Sequence, residues 1–191
     1  MSTWINGAAG SALSCADRGL GYGDGLFETM RLERQSVRHL ERHLMRLAQG
    51  CRRLGIERLD IAVVRGEIAR AVPTLSDGVL KLVVTRGPGP RGYRPSGNEL
   101  PTRILSWGPP RAVDPAAASV GVRVRFCATP ATENTALAGL KHLNRLDSVL
   151  AQLEWSDSDV AEGLLRDSQG SVVGGTMSNL FVVRGRTVLN P

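Results

Sequence analysis

Apolar and polar residues alternate along Gly25-Leu26-Phe27-Glu28-Thr29-Met30-Arg31-Leu32-Glu33, the period of a half-buried strand. Arg34-Gln35-Ser36 follows as a hairpin turn. The period then changes. Leu40, Leu44, Leu47, Cys51 and Leu54 recur at spacings of four, three, four and three, one face of an amphipathic helix that Gly55 ends. Residues 61–72 predict a second helix, stopped by Pro73, and residues 78–85 read as a buried strand. That strand runs into the Gly/Pro/Arg loop of residues 86–93. Shorter strands are predicted at 3–6, closed by the turn pair Asn6-Gly7, and at 102–107. Glycines at 19, 21, 23 and 25 predict a loop over 18–25 where backbone packs closely.

Residues 109–118, rich in Pro and Ala, are the best linker. Beyond them the pattern predicts a strand at 120–127, a long loop, a helix at about 144–155, and strands at 162–166 and 179–183 around the turn Asp167-Ser168-Gln169-Gly170. The chain thus reads as mixed α/β (α+β) with two lobes, residues 1–111 and 112–191, and no internal repeat.

Composition changes this picture little. The 191 residues are 42% hydrophobic and 22% charged, enough for a core. No apolar run is long enough for a membrane span, and no secretory leader is visible at the N-terminus. Cys15, Cys51 and Cys127 are widely separated and without metal-ligand spacing, so free thiols in a reducing cytoplasm are expected and no metal. The net charge of +6 invites nucleic acid, but the arginines are dispersed and aromatics are only 4%. An anionic small substrate accounts for the charge equally well. Pro88 and Pro90 remove amide donors from the 86–93 loop, which is therefore no phosphate-cradling nucleotide loop.

Of 24 basic residues only Lys81 and Lys141 are lysines. Lys141 stands after the small run Thr135-Ala136-Leu137-Ala138-Gly139, at the mouth of the predicted 144–155 helix. Lysine can lose its proton and attack a carbonyl as a free amine, which arginine cannot. His39, His43 and His142 show neither metal spacing nor an attached nucleophile.

Six segments occur together in an order that resembles the fold-type IV enzymes of pyridoxal phosphate (PLP). They are Asp17-Arg18-Gly19, residues 23–29, His43-Leu44-Met45-Arg46-Leu47, Thr85-Arg86-Gly87 with Arg91-Gly92-Tyr93, residues 141–146, and Met177-Ser178-Asn179-Leu180-Phe181. Lys-His-Leu-Asn-Arg-Leu and Arg-Gly-Tyr are similar to the aminodeoxychorismate lyase branch. The resemblance implies a two-lobed fold and a homodimer. It implies Lys141 as the residue that holds PLP covalently and shuttles protons, and Arg46 as the grip on the cofactor phosphate. Arg86 is implied to bind the substrate carboxylate, Arg145 to face the substrate, and Thr29 with Glu28 to border the site, where packing is an equal reading. The implied reaction converts 4-amino-4-deoxychorismate to 4-aminobenzoate and pyruvate, a step toward folate, with PLP as electron sink. A branched-chain or D-amino acid aminotransferase, and an inactive remnant serving as a binding module, are the alternatives.

Two departures from that family stand out. Its acid beside the pyridine nitrogen aligns with Gly174, and no nearby acid is expected to replace it. The chain also stops at Val188-Leu189-Asn190-Pro191 where the family continues, so the second, PLP-binding lobe is expected to be truncated and incomplete.

Overall fold

The alternation over 25–33 forms the second strand from one edge of a six-stranded antiparallel sheet. The computed structural model describes residues 2–110, 112 and 114–191. The strands are β1 (Ser2–Ile5), β2 (Ala8–Ala9), β3 (Gly25–Glu33), β4 (Ser36–Val37), β5 (Gly78–Thr85) and β6 (Thr102–Gly108), in the order β2-β1-β6-β5-β3-β4. Leu26, Met30 and Leu32 of β3, with Leu80, Leu82 and Val84 of β5 and Leu105 of β6, are all buried. They form one face of the sheet. Against them pack Leu44, Leu47 and Cys51 of α2 (Leu40–Leu54) and Val64 and Ile68 of α3 (Ile61–Ala71). Burial pushes the Cys51 thiol up to about 11, so it behaves as a core hydrophobe. Gly55 ends α2 in the left-handed conformation that its glycine permits.

The opposite face carries the other half of each alternation. One row runs Phe27, Val83, Ile104 and Ile5; the next runs Thr29, Lys81, Ser106 and Thr3.

Residues 18–25 are not a loop throughout. Arg18–Tyr22 form the short helix α1, since Asp17 caps its start by accepting from the Gly19 amide at 2.8 Å and Gly23 closes it at φ 66°. The second predicted helix also shifts: α3 ends at Ala71 and continues as one 3-10 turn through Pro73.

Backbone contacts divide the chain into two units. The first holds residues 1–111 with 139–143; the second holds 112–138 with 144–191. Arg111, at the expected lobe boundary, and Val113, in the expected linker, lie outside the described residues. In the second unit α4 (Ala117–Val120) precedes β7 (Arg123–Phe126). Val120 closes that helix, so the expected strand begins three residues later. β7 pairs parallel with β8 (Val160–Arg166), and β9 (Val172–Gly175) pairs antiparallel with β8. Cys127, Ala151 and Leu165 form a small core there, with Trp155 against it. Helix α5 (Leu146–Gln152) is shorter than expected. The Asp167 turn returns into β9, not into 179–183, because Asp167 Oδ1 accepts from the Gln169 and Ser171 amides and folds the chain back at once. A last hairpin joins β10 (Val182–Arg184) to β11 (Thr187–Leu189).

Candidate active site

Lys141 is not at the mouth of a helix. Residues 141–143 are extended and lie on the edge of β3 that β5 leaves open. Phe27 donates its amide to the Lys141 carbonyl at 2.9 Å, Leu143 donates to the Gly25 carbonyl at 3.1 Å, and Leu26 bridges His142. This pairing sets Lys141 opposite Phe27, on the sheet face away from α2. Its Nζ lies 4.3 Å from the Phe27 ring centroid. Lys81, the other lysine, reaches the same ring from β5 at 5.4 Å. The two ammonium groups are therefore within about 10 Å of each other, about one Debye length at 0.1 M salt. A positive field on an aromatic floor suits an anionic ligand.

Arg46 comes from α2. It lines a cavity of about 70 Å³ together with Phe27, Glu28, Arg53 and Lys141. The helix can approach β3 here because residue 50 is glycine; a Cβ would come 2.7 Å from Leu26 Cδ1. Arg46 Nε donates to Glu28 Oε1 at 2.8 Å and Nη2 to Oε2 at 2.5 Å. These bonds raise the guanidinium above its ordinary value, so it is a permanent cation. Half of the Arg46 side chain stays exposed, whereas Glu28 is buried.

Among the expected site residues, the structure brings Lys141, Arg46 and Thr29 to β3 and its neighbours. Thr29 stands beside Lys81 in the row next to Phe27. Arg145 belongs to the second unit, where it heads α5.

Arg86 departs from expectation. Its Nε and Nη2 donate to the Asp24 carboxylate at 2.7 and 3.1 Å, Nη2 also to the Leu54 carbonyl, and Nη1 to the Gly55 carbonyl. Four of its five N–H donors are thus engaged within the fold, and only 12% of the side chain is exposed. It is tied to the end of α2 and is not among the residues that line the Lys141 cavity. Phe27 and Lys81, which the sequence pattern did not single out, are the residues the structure sets beside Lys141. The signal was present: the alternation of β3 and β5 places both on one face.

An acid does lie beside the Gly174 segment, with its oxygens bonded to that turn. Glu162 of β8 packs on Gly175. Its Oε1 accepts from the Thr176 hydroxyl and from the Gly163 and Thr176 amides, and its Oε2 from the Ser178 hydroxyl at 2.7 Å. Burial opposes its charge, but the hydrogen bonds from Thr176 and Ser178 outweigh that, and the carboxyl is held below its usual range. Glu162 organises the turn 175–178. Gly174 itself has φ 156°, and a Cβ there would meet nothing nearer than 3.7 Å. Space is free but the backbone is strained for any L side chain. Gly174→Ala is expected to cost about 1–3 kcal/mol, read as a lower midpoint of thermal unfolding. An unchanged midpoint would show that the turn relaxes without loss.

A lysine amine over an aromatic ring and a half-exposed guanidinium, from two residues of one cavity lining, fit the fold-type IV PLP frame that the motifs resemble. The amine suits the cofactor aldehyde and the guanidinium its phosphate, and the two line one cavity. The residues present fit the group.

The model of the amino-transferase class IV family matches residues 25–191, and the chain belongs to that family, whose members depend on PLP. It is 32% identical to the aminodeoxychorismate lyase of Vibrio harveyi over 188 residues, 98% of this chain and 69% of that protein. The crystal structure of 4-amino-4-deoxychorismate lyase from Pseudomonas aeruginosa superposes with a TM-score of 0.94 at 50% identity, covering 99% of this chain and 70% of that one. The branched-chain amino acid aminotransferase of Escherichia coli shares the fold, with a TM-score of 0.81 at 21% identity over all of this chain and 67% of its own. No helix among the described residues is long and apolar enough to cross a membrane.

Proposed function

We propose that this chain is a PLP-dependent lyase that converts 4-amino-4-deoxychorismate to 4-aminobenzoate and pyruvate, a cytoplasmic step of folate biosynthesis, and that it acts as a homodimer. The observation that carries this reading is the 50% identity to the Pseudomonas aeruginosa lyase across nearly the whole chain. When bound, PLP supplies the aldehyde that attaches to an amine and the electron sink that carbon–oxygen cleavage needs. The chain's own residues do the rest. Arg46 holds the phosphate with a planar fork. Lys141 holds the aldehyde and, once the substrate amine has taken its place, moves protons at Nζ. Phe27 shields the underside of that amine from water. Under the same reading the chain divides into an N-terminal lobe, 1–111, and a cofactor-binding lobe, 112–191, whose Arg145 faces the substrate while Thr29 borders it.

Lys81 takes the anion-binding role expected of Arg86. It is exposed, it shares the Phe27 ring with Lys141, and its neighbours Thr29 and Ser106 carry hydroxyls. Lys81→Met is expected to raise the substrate KM by about 10- to 100-fold, the scale of a charged hydrogen bond, and to leave PLP affinity unchanged. A KM within twofold of the parent would remove Lys81 from substrate contact.

The reaction itself is tested by incubating the PLP-loaded protein with 4-amino-4-deoxychorismate and following pyruvate and 4-aminobenzoate together. Equal release of both supports the lyase. Consumption of a 2-oxo acid with formation of an amino acid, and no pyruvate, would make it an aminotransferase instead.

A further inference from the structure

We propose that Glu28 is the positioning residue for Arg46: a buried carboxylate that does not touch the ligand but aims the guanidinium at the phosphate of the cofactor. The inference rests on the PLP reading above. Its basis is the geometry of three side chains. Glu28 is 1% exposed, inside the sheet face that α2 covers, among Leu26, Met30 and Leu82. A carboxylate in such a place is costly unless its lone pairs are filled. Two N–H groups of Arg46 fill them from one side. From the other, His43 Nδ1 donates to Oε2 at 2.7 Å, the only role open to a ring nitrogen facing an ionised carboxylate.

His43 and Arg46 are three residues apart on α2, so both reach Glu28 from one helix face. The carboxylate is thereby held at both ends, and it in turn fixes the torsions of a long side chain. Nε and one N–H of Nη2 point down to Glu28. The remaining N–H groups of the half-exposed side chain are left for a ligand, and Arg46 lines the cavity that Lys141 also lines. An unheld arginine would lose rotamer freedom on gripping a phosphate; here that ordering is already complete in the protein. Glu28 thus serves affinity for the phosphate specifically, and not the attachment of the aldehyde.

The test compares two ligands that differ only in the phosphate. Dissociation constants of PLP and pyridoxal are measured by equilibrium dialysis on the apoprotein and on Glu28→Gln, Arg46→Gln and the double variant. Glutamine keeps the shape but offers one acceptor oxygen and no charge. We expect Glu28→Gln to weaken PLP about tenfold, the scale of coupling between contacting side chains, and to leave pyridoxal within about twofold of the parent value. The double variant should bind PLP no worse than Arg46→Gln alone, because an unaimed and an absent fork are equivalent.

Equal weakening of both ligands would reduce Glu28 to a packing residue and overturn the proposal. Tighter PLP binding would overturn it too, by making Glu28 a competitor that the phosphate must displace. Additive losses in the double variant would mean that Glu28 acts apart from Arg46. If Glu28→Gln does not fold, Glu28→Asp, which keeps the charge but draws the fork back by one methylene, enters the same comparison with the same expected loss of phosphate discrimination. Should Arg46→Gln itself bind PLP and pyridoxal with unchanged preference, the phosphate reading of Arg46 fails. A failure confined to the Glu28 variants, with Arg46→Gln behaving as expected, leaves that reading intact.

Discussion

Lys141→Ala is expected to abolish both the visible absorbance of bound PLP and turnover, by on the order of 10⁴-fold. Alanine removes the nearer of the two amines on the Phe27 ring and the group proposed to move protons. Arg46 survives in this variant, so PLP should still bind through its phosphate, weakly and without the colour of the lysine-bound form. Folding should not change. The Lys141 backbone makes the pairing with Phe27, which alanine keeps, and its side chain leans on the ring. Thermal unfolding within 2 °C or so of the parent, about 0.5–1 kcal/mol for a chain of this size, would therefore separate lost chemistry from lost structure. A Lys141→Ala protein that kept the absorbance would transfer the attachment to another amine. Lys81 is the sole other lysine, and the double variant would decide it.

The parts of this fold that were legible in the sequence are those fixed by near neighbours. β3 could be read from its alternation alone and α2 from its leucine spacing, because each element presents one continuous face to one core. The 144–155 helix was overextended, and α1 was hidden by glycines that suggest a loop until the Asp17 cap is considered. The candidate site was legible in its residue types but less so in its geometry. Lys141 looked like a helix-mouth residue because nothing local says that residues 141–143 will pair with β3, more than a hundred residues away in the chain. Arg86 looked available because Asp24, Leu54 and Gly55, which occupy it, are each at least thirty residues distant. Gly174 showed a missing side chain, but not that its backbone adopts a conformation in which a side chain is strained. For Lys141 and Arg86 the decisive partner is long-range, and a pattern of period two or 3.6 carries no information about it.

Such long-range ties also make the loop of residues 86–99 a structural element, and the strongest of them is Asp17. Its carboxylate is 1% exposed. Oδ1 accepts from the Gly19 amide, and Oδ2 accepts from the Thr85 and Thr102 hydroxyls at 3.0 and 2.7 Å. Thr85 in turn accepts from the Gly87 amide at 3.0 Å. Next along α1, Arg18 donates to Asp24 and to the carbonyls of Gly92 and Tyr93. One acid therefore caps α1, joins β5 to β6 and fixes the start of the loop. Asp17→Ala removes the cap and leaves two buried hydroxyls without their acceptor. The expected loss is about 3–5 kcal/mol, combining a lost cap with broken bonds to a buried charge. At about 2–4 °C per kcal/mol for a chain of this length, the unfolding midpoint should fall by roughly 10 °C or more. Asp17→Asn keeps one acceptor and the cap, and should lose less than half as much. Local loosening has its own readout: trypsin should cut after the exposed Arg91 faster in Asp17→Ala than in the parent, under conditions where both remain folded. A midpoint within 2 °C or so of the parent, with no change in cleavage at Arg91, would mean that the threonines find other acceptors and that Asp17 is not the tie that holds this loop.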